Sequence, residues 1–191
     1  IERQRLRQEI KILNNQINPH FLFNSLNNLI SIIDIDTVNA KIYTAHLADF
    51  YRLIVAYKDN YVITLDEDLR ISRIYIALQN IRFSDAIIYK VRVPEAYFKC
   101  YLPPLTLQIL VENAIKHNKV SQSQPLHIDI SVEKEFLIIK NKISPKENLE
   151  TSTKSGIRFI VDRFDFITKA KPVILQTETE FIVKVPLIFN E

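Results

Sequence analysis

Glycine is almost missing. One glycine stands in 191 residues, where average usage near 7% would give about 13. A P-loop and a dinucleotide fingerprint each need several glycines at fixed spacing, so both are excluded. Collagen-like and Gly/Ser-linker sequences are excluded with them. Cysteine is equally scarce. The lone Cys100 rules out a disulfide framework and any multi-cysteine zinc site within this chain, and it suits a reducing compartment. No apolar run approaches the ~18 residues of a membrane span. Excess charge is small too. A net charge of +3 gives no argument for nucleic-acid binding.

What is present is an ordinary apolar fraction of 47%, enough for one domain or two small ones with a real core. The chain opens without Met, already in a helical pattern, and reads as a piece of a longer protein cut within a helix. Leu6, Ile10, Leu13 and Ile17 follow 4-3-4 spacing among polar residues. That is a short heptad seam, and a seam implies a partner helix. Pro19 predicts a kink, because it lacks an N–H and crowds the carbonyl four residues back. Phe23, Leu26, Leu29, Ile30 and Ile33 resume the helical period. Asp34 to Asn39 is a polar break. Tyr43, Leu47, Phe50, Ile54 and Tyr57 form a second stripe. Two such helices make a hairpin, and two hairpins would bury both stripes as a dimeric four-helix bundle.

From Tyr61 the pattern changes. Asp66 to Phe83 reads as a helix with Thr64 as its N-cap. Alternation predicts strands around Ile87–Val93, Ile128–Val132 and Phe136–Ile139. Pro103 and Pro104 announce a helix over Leu105 to His117. Lys142 to Ser155 is polar and irregular, a loop. Ile157 to Ile167 reads as a helix, and Val173–Gln176 with Phe181–Val185 as a terminal hairpin. The fold class expected is α+β: an N-terminal helical hairpin over residues 1–60, then a sandwich of helices and strands over 61–191.

Two segments carry unusual chemistry. QINPHFLFNSLNNL, residues 16–29, places His20, a proline and four asparagines inside an apolar helical pattern, although asparagine is a mediocre helix former. LPPLTLQILVENAIKHN, residues 102–118, gathers Glu112, Asn113, Lys116 and His117 on an apolar helix. Asn113, Lys116 and His117 are spaced i, i+3 and i+4, so they share a face, with Glu112 one step round. An amide oxygen, a cation and an imidazole there suit Mg²⁺ and phosphate oxygens. Read alone, His20 is also compatible with a surface histidine beside a kink, and the Asn113 face with a solvated helix side. The combination favours chemistry.

QINPHFLFNSLNNL resembles the phosphoacceptor box of LytS-type sensor histidine kinases, and LVENAIKH resembles the asparagine box of their ATP-binding domain. YIALQNIRF, residues 75–83, adds a supporting match. The resemblance implies a dimerisation and phosphotransfer hairpin over residues 1–60 and a GHKL-type ATP-binding α/β sandwich over 61–191. It implies that His20 is the phosphoacceptor, whose neutral imidazole attacks the γ-phosphorus of ATP. Asn113 would coordinate Mg²⁺. Glu112 would act as a base or polarise a metal-bound water, and Lys116 and His117 would lie near the phosphates. The phosphoryl group would pass to an aspartate of a response regulator, often of LytTR type. An upstream membrane anchor, on the cytoplasmic side of a bacterial inner membrane, is likewise implied by the family.

The sequence departs from the family at its glycine boxes. In IIKNKISPK, residues 138–146, Asn141 stands where an aspartate usually accepts a hydrogen bond from the adenine amino group. It can still accept, without charge assistance. Ile143 stands at the following glycine. In KSGIRFIVDRF, residues 154–164, Gly156 and Ile157 match the second Gly and the Leu, Lys154 replaces the first glycine, and Phe159 stands at a usual asparagine. A β-carbon at Lys154 disfavours positive φ and close approach to phosphate, whereas its charge favours the triphosphate. Amides at the start of the helix after Gly156 would face phosphate. Weakened nucleotide binding is expected. Active kinase, non-enzymatic dimeric pseudokinase, and unrelated GHKL-type ATPase or structural dimer are the readings in play.

Overall fold

A computed structural model describes residues 19–146 and 155–189. The heptad seam, the approach to Pro19, Lys154 and most of the expected loop lie outside the described residues. The chain divides into two compact units, one ending at Asn60 and one beginning at Tyr61.

The first unit is a helical hairpin of α1 (Pro19–Ile33) and α2 (Thr37–Tyr57). The polar break is shorter than the sequence suggests. Asp36 caps α2 by accepting from the Val38 and Asn39 amides, both at 3.0 Å, so Thr37 to Asn39 join its first turn. Ala40, Tyr43, Leu47, Phe50 and Ile54 of α2 are buried, and Phe21 meets Phe50 edge-on at 5.2 Å. Tyr51 lies beside both rings. Burial, and then the neighbouring Tyr43, push its phenol up to about 12. The other stripe of α1 stays in the open: Phe23 is 65% exposed and Ile30 62%, with Leu26 and Ile33 also exposed.

The second unit is a two-layer α/β sandwich. Its elements are β1 (Ile63–Thr64), α3 (Leu65–Phe83), β2 (Ile87–Arg92), a 3-10 turn (Glu95–Tyr97), β3 (Tyr101–Leu102), α4 (Thr106–His117), β4 (Leu126–Glu133), β5 (Phe136–Lys142), α5 (Ser155–Ile167), β6 (Val173–Gln176) and β7 (Glu180–Pro186). The main sheet has the order β2-β4-β5-β7-β6, with β2 and β4 parallel and the other pairs antiparallel. The short β1 and β3 pair separately. Along β4, Leu126, Ile128 and Ile130 are buried, as are Leu137, Ile139 and Asn141 on β5 and Val183 and Val185 on β7. That period of two gives the sheet one buried face. Leu69, Ile71 and Leu78 of α3, Leu107, Leu110 and Val111 of α4, and Ile160 and Phe164 of α5 complete the core.

Local chemistry sets these elements. Thr64 and Glu67 form a reciprocal capping box at α3, as expected of Thr64. Asn80 of α3 clamps β2, donating to the Ile87 carbonyl at 3.1 Å and accepting from its amide at 2.9 Å. Ser72 shares a 2.6 Å hydrogen bond with Tyr89, which ties α3 to the middle of β2. Glycine scarcity shows in the turns. Ser84, Asp85, Leu105 and Lys134 take positive φ of 51°, 60°, 66° and 56°, where glycine is usual. Each costs roughly 1–2 kcal/mol of steric strain. Gly156 does not have positive φ. A β-carbon there would meet Ile109 Cγ2 at 3.3 Å, so its smallness serves the close approach of α5 to α4.

Candidate functional site

Helix α4 carries the site. Leu107, Leu110, Val111, Ala114 and Ile115 are buried, while Glu112, Asn113 and His117 are half-buried and Lys116 is exposed. The four sequence-predicted residues therefore lie where a ligand can reach them. Gln108 Nε2 donates to Glu112 Oε2 at 2.8 Å, one turn back on the helix, and helps hold that carboxylate in place.

The C-terminal end of α4 is electropositive. Burial, then the charges of Lys116 and Lys146, hold His117 below the ordinary histidine value. Lys146 donates to the Ile115 carbonyl at 3.2 Å. Burial and the nearby Arg82 lower its own pKa. Three cations and an imidazole thus converge where phosphate oxygens would be neutralised. Nothing local in the sequence sets Lys146 or Arg82 apart from the other basic residues.

Asn118 was missed as well, and it organises this end. It is buried, donates from Nδ2 to the Ala114 carbonyl at 2.8 Å, and accepts the Ser144 amide on Oδ1 at 2.6 Å. The Lys119 amide donates to the Ser144 carbonyl at 2.7 Å. These bonds stitch the exit of α4 to the segment after β5, which brings Lys146 to the helix. The only signal in the sequence was a buried-type position filled by an asparagine at the helix end.

Asn141 lies on β5, on the sheet face that the helices cover, and is 5% exposed. Its Nδ2 donates to the Lys142 carbonyl at 2.8 Å. That orients the amide and leaves Oδ1 as its acceptor side. Gly156 is the second residue of α5 and sits against Ile109, one turn before Asn113. Phe159 lies under the Arg163 guanidinium, 5.2 Å from its carbon to the ring centroid. His20 lies in the first turn of α1, in the other unit. The described structure brings together Glu112, Asn113, Lys116, His117, Asn141 and Gly156 in one sandwich. Lys154 is outside the described residues.

The donors fit a magnesium–nucleotide better than a resident metal. Glu112 and Asn113 offer hard oxygen atoms. Among the described residues, no group of three or more His, Cys, Asp or Glu stands ready to cage an ion. A magnesium ion held here would complete its shell with phosphate oxygens and water, as it does with nucleotides. No described helix is long and apolar enough to cross a membrane.

Known histidine kinases resemble this chain over parts of its length. The histidine kinase family profile matches residues 8–87. Over 127 residues the chain is 37% identical to the sensor histidine kinase/phosphatase LytS of Staphylococcus aureus strain MRSA252, covering 66% of this chain and 22% of LytS. The chain thus spans under a quarter of that relative's length. Similar solved structures include the catalytic domain of histidine kinase ThkA, at 13% identity and a TM-score of 0.45, covering 65% of this chain and 94% of that one. A histidine kinase from Burkholderia phymatum is 11% identical with a TM-score of 0.47, covering 93% and 98% respectively.

Proposed function

The histidine kinase family model matches residues 8–87, and from that match we propose that the chain is the kinase portion of a two-component sensor. Residues 1–60 act as dimerisation and phosphotransfer helices, and 61–191 as the ATP-binding catalytic unit. The observation that carries the reading is α4. One helix presents Glu112 and Asn113 beside a cluster of Lys116, His117, Arg82 and Lys146, the charge pattern a magnesium triphosphate requires.

In this reading Asn141 Oδ1 accepts from the adenine amino group. Asn113, with Glu112 beside it, holds Mg²⁺, which supplies charge neutralisation at the phosphates when bound. Lys116, Lys146 and the amides at the start of α5 near Gly156 bind phosphate oxygens, helped by Lys154. A nitrogen of the neutral His20 ring forms a bond to the γ-phosphorus. The bond from that phosphorus to the β,γ-bridging oxygen breaks, ADP leaves, and the ring proton is released, with Glu112 as its acceptor. The phosphoramidate then gives its phosphoryl group to a response-regulator aspartate, with a LytTR-type regulator as the partner class. The exposed Phe23, Leu26, Ile30 and Ile33 stripe supports homodimerisation. An upstream anchor would hold the unit at the cytoplasmic face of the inner membrane.

Incubation with γ-labelled ATP and Mg²⁺ tests this. Acid-labile, alkali-stable label is expected, and is expected to vanish in His20→Ala and Asn113→Ala. No label at millimolar ATP in a folded protein sinks it. A second reading, a nucleotide-binding pseudokinase, draws on Phe159. Its ring is engaged by Arg163 where the family has an asparagine amide. Calorimetric binding of ATP without label transfer would select that reading.

A further inference from the structure

Asp68 and Arg163 are the charged side chains buried among the described residues, and the proposed chemistry uses neither. Asp68 belongs to the first turn of α3 and is fully buried. Its Oδ1 accepts the Leu105 amide and its Oδ2 the Leu107 amide, each at 2.8 Å. Arg163, from α5, donates to the Pro104 carbonyl at 2.7 Å. The three bonds converge on one place, the start of α4.

That place has an anomaly that the pair explains. Leu105 is the N-cap of α4, yet its side chain caps nothing and its φ is 66°. A Ser, Thr, Asn or Asp at position 105 would cap the helix locally. Instead the acceptor comes from 37 residues upstream, and the positive charge beside it from 58 residues downstream of Leu105. A carboxylate at a helix N-terminus is favoured by the helix dipole. Burial opposes the charge and, even against the pull of the Leu107 and Leu105 amides, Arg163 and the Thr106 amide, pushes the pKa up to about 7. Charges this deep persist only when they are paired and hydrogen-bonded.

The consequence reaches the site through α4 and α5. Arg163 meets Pro104, while Gly156, two turns earlier on α5, meets Ile109. Contacts 163 to 104 and 156 to 109 mean that the two helices run antiparallel. Fixing the 104–107 end therefore sets how far α4 slides along α5. It also sets which residues of α4 stand beside the Gly156 end.

We propose that Asp68 and Arg163 are positioning residues for the nucleotide site, which hold Glu112 and Asn113 on α4 in register with the start of α5. This rests on the reading that α4 binds a magnesium nucleotide.

The test separates the two claims. On the full-length protein, affinity for Mg²⁺ with the non-hydrolysable β,γ-imido analogue of ATP is measured by calorimetry. Amide exchange is followed along the whole sandwich. The variants are Asp68→Asn, Arg163→Lys and Val185→Ala, the last a buried β7 residue that belongs to none of α3, α4 and α5. Asp68→Asn is expected to lose tenfold or more in affinity, with exchange protection lost along α4 and α5. Val185→Ala, compared at equal loss of melting temperature, is expected to keep its affinity within twofold. Autophosphorylation at saturating ATP should also slow in Asp68→Asn, so kcat falls as KM rises. Wild-type affinity in a folded Asp68→Asn overturns the proposal, and so does an equal loss in Val185→Ala. If Asp68→Asn does not fold, Arg163→Lys carries the same expectation and the same refutation. If the unaltered protein binds no nucleotide, the underlying reading fails instead. Exchange then still decides whether the pair holds α4: loss confined to α4 and α5 supports it, and uniform loss overturns it.

Discussion

Replacing Asn118 with alanine tests how the cationic end of the site is built. The side chain is buried and makes two hydrogen bonds, to the Ala114 carbonyl at 2.8 Å and from the Ser144 amide at 2.6 Å. Each net bond is worth about 1 kcal/mol, and a stranded N–H adds about 1–3 kcal/mol if nothing replaces its acceptor. A total of about 3–5 kcal/mol follows, or a fall of about 10–20 °C in the melting temperature of a unit this size. Urea unfolding of Asn118→Ala beside the parent measures it. A local readout accompanies the global one. The Lys119 amide, bonded to the Ser144 carbonyl at 2.7 Å, should exchange faster, because the Asn118 bond to Ser144 that holds the two segments together is gone. A loss below about 0.5 kcal/mol, or unchanged protection at Lys119, would refute the view that this asparagine joins α4 to the segment carrying Lys146.

Further outcomes concern other parts of the chain. Ile30→Glu places a charge on the exposed α1 stripe and should weaken the dimer about a hundredfold, roughly 2.7 kcal/mol. Sedimentation equilibrium showing an unaltered dimer would remove that face from the interface. His117 has a folded pKa below its ordinary 6.5, so between those values the unfolded chain holds more protons. Stability therefore falls as pH drops below about 6.5, and His117→Gln should flatten the urea midpoint between pH 7.5 and 5. An identical slope in that variant would contradict the assignment.

Much of the fold was legible because its signals are local. Thr64 three residues before Glu67 is a capping signature, and the alternation through Ile128 and Ile130 can only be a strand with one buried face. The α4 face was legible for the same reason, since helical spacing alone groups Asn113, Lys116 and His117. What escaped depends on contacts distant in sequence. Nothing near Asp68 marks it as the cap of a helix starting at residue 106, because its partners are 37 and 39 residues away. Lys146 reaches Ile115 across 31 residues, so its charge read as part of a polar loop. Leu105 read as the first helical residue. Its left-handed backbone is imposed by the bonds made around it rather than by its own preference. From the sequence, the single glycine marks a helix start whose amides would face phosphate. The structure gives it a different reason, room for α5 against Ile109.

The central claim is that His20 accepts a phosphoryl group from ATP bound at α4. The most direct measurement locates that group. After incubation with Mg²⁺ and ATP, the protein is digested at alkaline pH and the phosphopeptide sequenced by mass spectrometry. The account predicts phosphate on the His20 imidazole, absent in Asn113→Ala. Phosphate on any other residue, or an unmodified His20 in a folded protein saturated with ATP, would contradict it.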